Sequence, residues 1–275
     1  MHDPGVQVLL DFQDIAERLG VRYVLVGAGS RVLTVEHMRR DGRTVRDARA
    51  TLDWDFGVQF EHYAAYEAFA AALIGGPFRK GTPWQRVMHK TTGIALDMVP
   101  FGGIAPGGTL RVPKEETTLQ VLGFAEALSH AVMVPLAGRL LPVVNEVGFV
   151  VLKLIAWHDR AKLDDLRDLW HVIRDYDSGD NVRRAFDRYH ALLLDDGLDQ
   201  DEMLARLLGA DMGAIMAPAT RSVTEAVLSR LADVETMAVR SLARIGQPLD
   251  EIAGLFTQVL EGVKESPAKP DHRDV

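Results

Sequence analysis

The chain has 275 residues, of which 47% are hydrophobic and 25% charged, and its formal net charge is −8. This length allows one large domain or two moderate ones with a substantial core, and the composition is ordinary for a globular protein. There is no cysteine, which excludes disulfides and thiolate metal sites and favours a cytoplasmic location. The negative charge excludes broad electrostatic attraction to nucleic acid, so a polyanion would have to meet a local basic patch.

Membrane attachment is not expected from the sequence. No apolar run reaches the roughly 18 residues that a membrane span requires. The first residues, MHDPGVQVLLDF, lack the basic segment and cleavage pattern of a signal peptide.

The N-terminal pattern predicts a helix over 6–19, a strand over 22–26 and a second helix over 30–38. The strand turns into the helix through small residues that end at Gly29 and Ser30. Such a turn presents backbone N–H groups and a positive helix end to an anion, and Ser30 is a candidate N-cap. The alternative is a tight turn that needs glycine only for its geometry.

A strand around Asp53 and Asp55 carries the strongest chemical signal. Side chains alternate along a strand, so these two carboxylates point the same way and Trp54 points the other way. Like charges this close raise one another's pKa unless a cation lies between them. Mg²⁺, which takes carboxylate and phosphate oxygens, is the usual ion. The alternative is a solvated face of an edge strand.

The segment before this strand is basic. Between residues 31 and 49 there are six arginines, and the segment leads directly into the aspartate strand. This indicates a basic patch beside the acidic pair and leans towards an RNA ligand, although a solvated connection is an equal alternative.

The next elements predicted are a helix over 61–74 and a hairpin over 85–90 and 92–100. Asp97 interrupts an otherwise apolar strand, and a buried carboxylate needs a partner or a metal. A short strand over 109–112, a short helix over 123–130 and a hairpin over 132–136 and 139–143 follow.

From residue 146 the apolar period becomes helical. The predicted helices span 146–160, 162–176, 180–194, 201–216, 220–244 and 248–263. The sequence therefore predicts an α+β protein, with a mixed sheet and flanking helices over 1–143 and an all-helical domain over 144–264. The polar residues 265–275 are predicted to be a disordered tail.

Lys153 is the one charged residue between Gly148 and Trp157, in a helix that is otherwise apolar. Its ammonium must either reach water along its stem or find an anion. Asp164, Asp165 and Asp168 follow, and we interpret them as a solvated helix start that the helix dipole stabilises.

Five motifs together resemble a known family: VLVGAGSR (24–31), RATLDWDFGV (49–58), LDMVPFGGI (96–104), VLGFAEAL (121–128), and VVLKLIAWHDR (150–160) with DDLRDL (164–169). The chain resembles the DNA polymerase β-like nucleotidyltransferase superfamily and, more narrowly, the predicted bacterial nucleotidyltransferases grouped with the AbiEii/AbiGii toxin family. Two positions depart from the pattern: Val32 stands where an aspartate is expected, and Asp164 where a basic residue is expected.

The resemblance implies transfer of a nucleoside monophosphate from a nucleoside triphosphate to a hydroxyl acceptor. It implies that Asp53, Asp55 and Asp97 bind two Mg²⁺ ions, with Mn²⁺ as a substitute. Gly29, Ser30, Arg31 and Lys153 would then hold the triphosphate. The acceptor, RNA such as tRNA or a small molecule, stays open, and an antitoxin would be a partner.

Two alternatives remain at this stage. One is a non-catalytic nucleotide-binding or regulatory protein that keeps the fold, which Val32 and Asp164 favour. The other is a metal-dependent phosphodiesterase, which ranks last because no histidine is spaced as a metal ligand.

Overall fold

The computed structural model describes residues 4–40, 53–112, 118–195, 197–243 and 248–267. The chain forms two compact units, one of Met1–His37 with Asp47–Asn145 and one of Met38–Arg46 with Glu146–Val275. Three arginines of the predicted basic patch (43, 46 and 49) lie outside the described residues, as do residues 268–275 of the predicted tail 265–275. Within the described part of that tail, Glu265 is helical and Ser266 is buried.

The first unit combines helices with a mixed sheet. The helices that begin in it are α1 (Pro4–Arg18), α2 (Gly27–Arg40), α3 (Tyr63–Gly75) and α4 (Phe124–Ser129). The strands are β1 (Tyr23–Val26), β2 (Asp53–Gln59), β3 (Phe78–Lys80), β4 (Arg86–His89), β5 (Ala95–Phe101), β6 (Thr109–Arg111), β7 (Thr118–Gln120), β8 (Val132–Leu136) and β9 (Arg139–Val143). The predicted helices and hairpins are all present. The three-residue strands β3 and β7 were not predicted, because so short a run shows no period.

The strands of the main sheet lie in the order β3-β4-β5-β2-β1-β9-β8. β2 runs parallel to β5 and antiparallel to β1, and β1 runs parallel to β9, so the sheet is mixed, as predicted. β6 and β7 form a separate two-stranded sheet. β2, the aspartate strand, lies at the centre of the main sheet and has a partner strand on both sides.

The two faces of β2 have different surroundings. Phe56 is fully buried and stacks on Phe12 of α1, with 4.1 Å between the ring centroids. On the opposite face, Gly57 leaves room for the Phe124 ring of α4, since a Cβ there would lie 2.5 Å from that ring. The core against α1 and α3 therefore covers one face, and α4 covers part of the face that carries the aspartates.

The second unit is all-helical in its described residues. It contains α5 (Glu146–Arg160), α6 (Leu163–Arg174), α7 (Asn181–Asp195), α8 (Gln200–Ile215), α9 (Pro218–Leu231), α10 (Met237–Ala243) and α11 (Leu249–Glu265). This confirms the predicted change from an α+β region to helices. Over the described ranges, none of the protein's helices is long and apolar enough to cross a membrane.

One helix prediction was wrong. The segment 220–244 forms two helices, α9 and α10, rather than one. Between them the Asp233 carboxylate accepts a hydrogen bond from the Glu235 N–H (2.9 Å), and the Thr236 hydroxyl donates to the Asp233 carbonyl (2.8 Å). These local side-chain bonds satisfy backbone groups in a turn and so compete with a continuous helix.

Helices α8 and α11 approach one another at glycines. A Cβ at Gly262 would lie 2.0 Å from the Arg206 carbonyl oxygen, and one at Gly209 would lie 2.0 Å from the Val259 carbonyl oxygen. Backbone therefore packs directly against backbone at this interface, with no flexible side chain that could move aside.

We predict that Gly262→Ala lowers the free energy of unfolding by about 1–3 kcal/mol, because the added methyl group forces α8 and α11 apart. Gly254→Ala on the same helix is the matched control. Its Cβ would meet only Glu202 Oε1, at 3.8 Å, so the better helix propensity of alanine should leave it neutral or slightly stabilising. Urea unfolding of both variants measures the difference. Equal stabilities would contradict the close packing.

Candidate active site

The strand register brings three predicted site residues to one face of the sheet. Asp55 on β2 is paired with Asp97 on the parallel strand β5. Asp53 lies two residues before Asp55 on the same strand and so points to the same face. Asp53, Asp55 and Asp97 are below called the three aspartates. Their placement on adjacent central strands corrects the alternative reading of a solvated edge strand.

A cation not predicted from the sequence lies among them. Arg86 on β4 is paired with Asp97 across the antiparallel hairpin. Its Nε donates to Asp97 Oδ1 and its Nη2 to Asp97 Oδ2, both at 2.8 Å. Nη2 also donates to Asp53 Oδ2, at 3.1 Å. Hydrogen bonding to Asp97, and then the charges of the three aspartates, raise the pKa of Arg86 against the opposing effect of burial.

A tight turn before β4 fixes the backbone of Arg86. The Gly81 N–H donates to the Arg86 carbonyl and the Arg86 N–H donates to the Pro83 carbonyl, both at 2.9 Å. A Cβ at Gly81 would lie 2.8 Å from Arg86 Cγ. The glycine therefore leaves a passage for the arginine stem towards Asp97.

The turn from β1 into α2 is fitted around the aspartate strand. The helix begins at Gly27, whose φ is 70°, and a Cβ there would lie 2.1 Å from Asp55 Oδ2. A Cβ at Gly29 would lie 2.7 Å from the Trp54 ring. The glycines thus have the geometric role that was the alternative interpretation. They also place the Asp55 carboxylate against a helix start, where the dipole favours negative charge.

Ser30 lies in the first turn of α2 rather than at its N-cap, which corrects that part of the prediction. The residue is fully buried, and its hydroxyl donates to the Gly27 carbonyl at 2.7 Å. Arg31 is also buried, whereas Val32 is exposed. Nucleotide contacts by Gly29, Ser30 and Arg31 stay a prediction.

Lys153 belongs to the second unit, where its buried ammonium forms ion pairs with two carboxylates. It lies 3.1 Å from Asp165 Oδ1 and 2.7 Å from Asp168 Oδ2. Arg160 also donates to both oxygens of Asp165, at 2.8 and 2.7 Å. Burial alone would raise the pKa of Asp165, but the bond from Arg160 and the charge of Lys153 outweigh it and lower that pKa.

The aspartates of helix α6, which are Asp164, Asp165 and Asp168, differ in their surroundings. Asp165 and Asp168 are buried, so their interpretation as part of a solvated helix start was wrong. Asp164 is exposed and pairs with Arg167 at 3.3 Å, as that interpretation expected. Lys153 as a nucleotide contact stays a prediction.

The three aspartates have the right kind of ligand atoms for a metal ion, but their present arrangement does not form a metal site. Carboxylate oxygens are the ligands that Mg²⁺ prefers, and the three aspartates supply them. Among the described residues, however, no three His, Asp or Glu side chains are arranged to hold a metal ion. In this arrangement Arg86 occupies both oxygens of Asp97 and one of Asp53.

Comparison with known proteins adds little. No family model matches the chain, and no curated protein matches it. The chain is similar to the solution structure of the antibiotic-resistance factor ANT(2'')-Ia, at 14% sequence identity and a TM-score of 0.41, over 72% of this chain and 98% of that chain. At this level of similarity, a functional assignment depends on the geometry of the chain itself.

We predict that Lys153→Met lowers the free energy of unfolding by about 3–5 kcal/mol, because it leaves Asp165 and Asp168 buried with less compensating charge. Lys264→Met is the matched control. Lys264 is half exposed and pairs with Glu261 at 2.8 Å on the surface of α11, so its loss should cost less than about 1 kcal/mol. Urea unfolding measures both. Equal losses would contradict a buried ion pair at Lys153.

The lowered pKa of Asp165 predicts a pH dependence. A carboxyl group with a folded-state pKa below its unfolded value contributes stability above the unfolded pKa, about 3.9 for aspartate. That stability is lost as the pH falls through the folded pKa. The difference in unfolding free energy between the wild type and Asp165→Asn should therefore be constant near neutral pH and shrink below about pH 4. Urea titrations across this range measure it. A difference that grows in acid would contradict the assignment.

Proposed function

We propose that the chain is a metal-dependent nucleotidyltransferase that moves a nucleoside monophosphate from a nucleoside triphosphate to a hydroxyl acceptor. The observation that carries the proposal is the alignment of Asp53, Asp55 and Asp97 on one face of the adjacent central strands β2 and β5. Three carboxylates close together on central strands stabilise the fold poorly, since like charges repel. It is suited to binding cations and the phosphates that accompany them.

Each aspartate has a distinct place in this proposal. Asp53 and Asp55 are the nucleotide-side ligands, because Asp53 is the more exposed and Asp55 lies beside the start of α2. Asp97 lies deeper, with 16% of its side chain exposed, and would help to deprotonate the incoming hydroxyl. Bound Mg²⁺ or Mn²⁺ would neutralise the negative charge on the transferred phosphoryl oxygens.

The chemistry of the ligands supports a divalent ion at this position. Carboxylates and phosphates repel one another, so a triphosphate that approaches the three aspartates is held best with a cation between them. A divalent ion would bridge the carboxylates and the phosphates.

The remaining nucleotide contacts are proposed on the motif resemblance. Gly29, Ser30 and Arg31 lie at the start of α2. This helix follows the last residue of β1, Val26, which is paired with Asp55. Lys153 would contribute charge while keeping its aspartate partners. The acceptor class, RNA such as tRNA or a small hydroxyl compound, and an antitoxin partner also rest on the resemblance, as does the narrower AbiEii/AbiGii grouping.

One observation favours a second candidate, a non-catalytic nucleotide-binding or regulatory protein. Arg86 holds two of the three aspartates, which is an arrangement that could persist in a protein without turnover. The two candidates differ in outcome: the second binds a triphosphate but transfers nothing from it.

We predict that Asp55→Asn reduces nucleotide transfer by at least about 10²-fold and leaves the fold intact, because it removes charge from the reacting centre rather than from the core. Each α-labelled triphosphate, supplied with Mg²⁺, total RNA and a panel of small hydroxyl acceptors, measures transfer.

Glu67→Gln, at an exposed position on α3, is the control and should keep full activity. Wild-type activity in Asp55→Asn would refute the assignment of Asp55. Triphosphate binding by the wild type without transfer to any acceptor would favour the non-catalytic candidate.

A further inference from the structure

Arg86 lies on the oxygens that the proposed metal centre requires. We infer that Arg86 is a displaceable counter-ion, which occupies Asp97 and Asp53 in place of a divalent cation and has to leave them when the cation binds. This inference rests on the proposed function and adds to it a residue that sets the metal affinity of the site.

The contacts of Arg86 indicate direct competition rather than a distant electrostatic effect. The guanidinium makes a two-pronged contact with Asp97, at 2.8 Å to each oxygen, which is the strongest arrangement an arginine forms with a carboxylate. The third bond reaches Asp53, at 3.1 Å. A metal ion between Asp53 and Asp97 would need the same oxygens and would also meet the positive charge.

The exposure of the aspartates gives the order of release. Asp53 has 43% of its side chain exposed and a single, longer bond to Arg86, whereas Asp97 has 16% exposed and two shorter bonds. Water can replace the guanidinium on Asp53 at small cost, but Asp97 needs another cation in its place. Release of Arg86 from Asp53 should therefore precede its release from Asp97.

The local backbone allows this movement without unfolding the sheet. Two backbone hydrogen bonds, to Gly81 and Pro83, hold the main chain of Arg86, while its side chain is 28% exposed. The exchange thus requires a change of side-chain rotamer, and strand β4 stays in register with β5. A purely structural salt bridge would behave differently, because its removal would disorder Asp97 and weaken cation binding.

Mn²⁺ titration of the full-length chain, with free Mn²⁺ measured by electron paramagnetic resonance, tests the inference without requiring catalysis. Arg86→Gln should bind Mn²⁺ about tenfold or more tightly than the wild type, a ratio on the order of one charge-assisted hydrogen bond. Arg86→Lys keeps the charge but loses the two-pronged contact, so its affinity should fall between the two. Arg79→Gln, at an exposed position on β3, is the matched control and should equal the wild type.

The outcomes separate this inference from the proposed function. Equal or weaker Mn²⁺ binding by Arg86→Gln than by the wild type would overturn the counter-ion role and leave the metal centre standing. If Arg86→Gln fails to fold, the same comparison made with Arg86→Lys decides. If Arg86→Gln binds Mn²⁺ and the wild type does not, the result supports the inference most strongly.

A gain in affinity that persists in Arg86→Gln/Asp55→Asn would place the ion elsewhere and overturn the inference. Absence of Mn²⁺ binding in the wild type and in both Arg86 variants would overturn the inference and the proposed function together.

Discussion

The structure of the first unit depends on how the negative charge at the centre of its sheet is compensated. Three carboxylates on adjacent strands repel one another, and burying part of that charge is unfavourable unless a cation is present. In this chain Arg86 supplies the cation from the neighbouring strand of the hairpin, through three hydrogen bonds. Glycines complete the arrangement: Gly27 makes room for Asp55, and Gly81 makes room for the stem of Arg86.

The second unit solves a similar problem in a different way. Its buried Lys153 is compensated by Asp165 and Asp168 from the next helix. Lys153, Asp165 and Asp168 are all buried. Their charges are therefore shielded from solvent and poorly placed to exchange ligands. The aspartates of the sheet are partly exposed, which allows exchange. This difference in exposure is why we place the metal-binding chemistry at the sheet.

The features of the molecule that were predictable from its sequence are those set by local periodicity. Alternation along a strand placed Asp53 and Asp55 on one face, and the apolar run around Asp97 indicated a central strand. Arg86 was not predictable, because its partner depends on the hairpin register, and that register depends on the conformation of the turn between β4 and β5. The partners of Lys153 were missed for a related reason: the angle between α5 and α6 follows from the turn at Ala161, whose φ of 48° no sequence period reveals.

We have proposed that the three aspartates form a metal-dependent nucleotide site. A crystal structure of the chain with Mn²⁺ and a non-hydrolysable nucleoside triphosphate analogue, with anomalous data collected for manganese, would show whether the ion binds there. We expect an anomalous peak in contact with oxygens of Asp55 and Asp97 and of the triphosphate, with the Arg86 guanidinium displaced from Asp97. An empty position at saturating Mn²⁺ and nucleotide, with Arg86 still paired to Asp97 and Asp53, would contradict it.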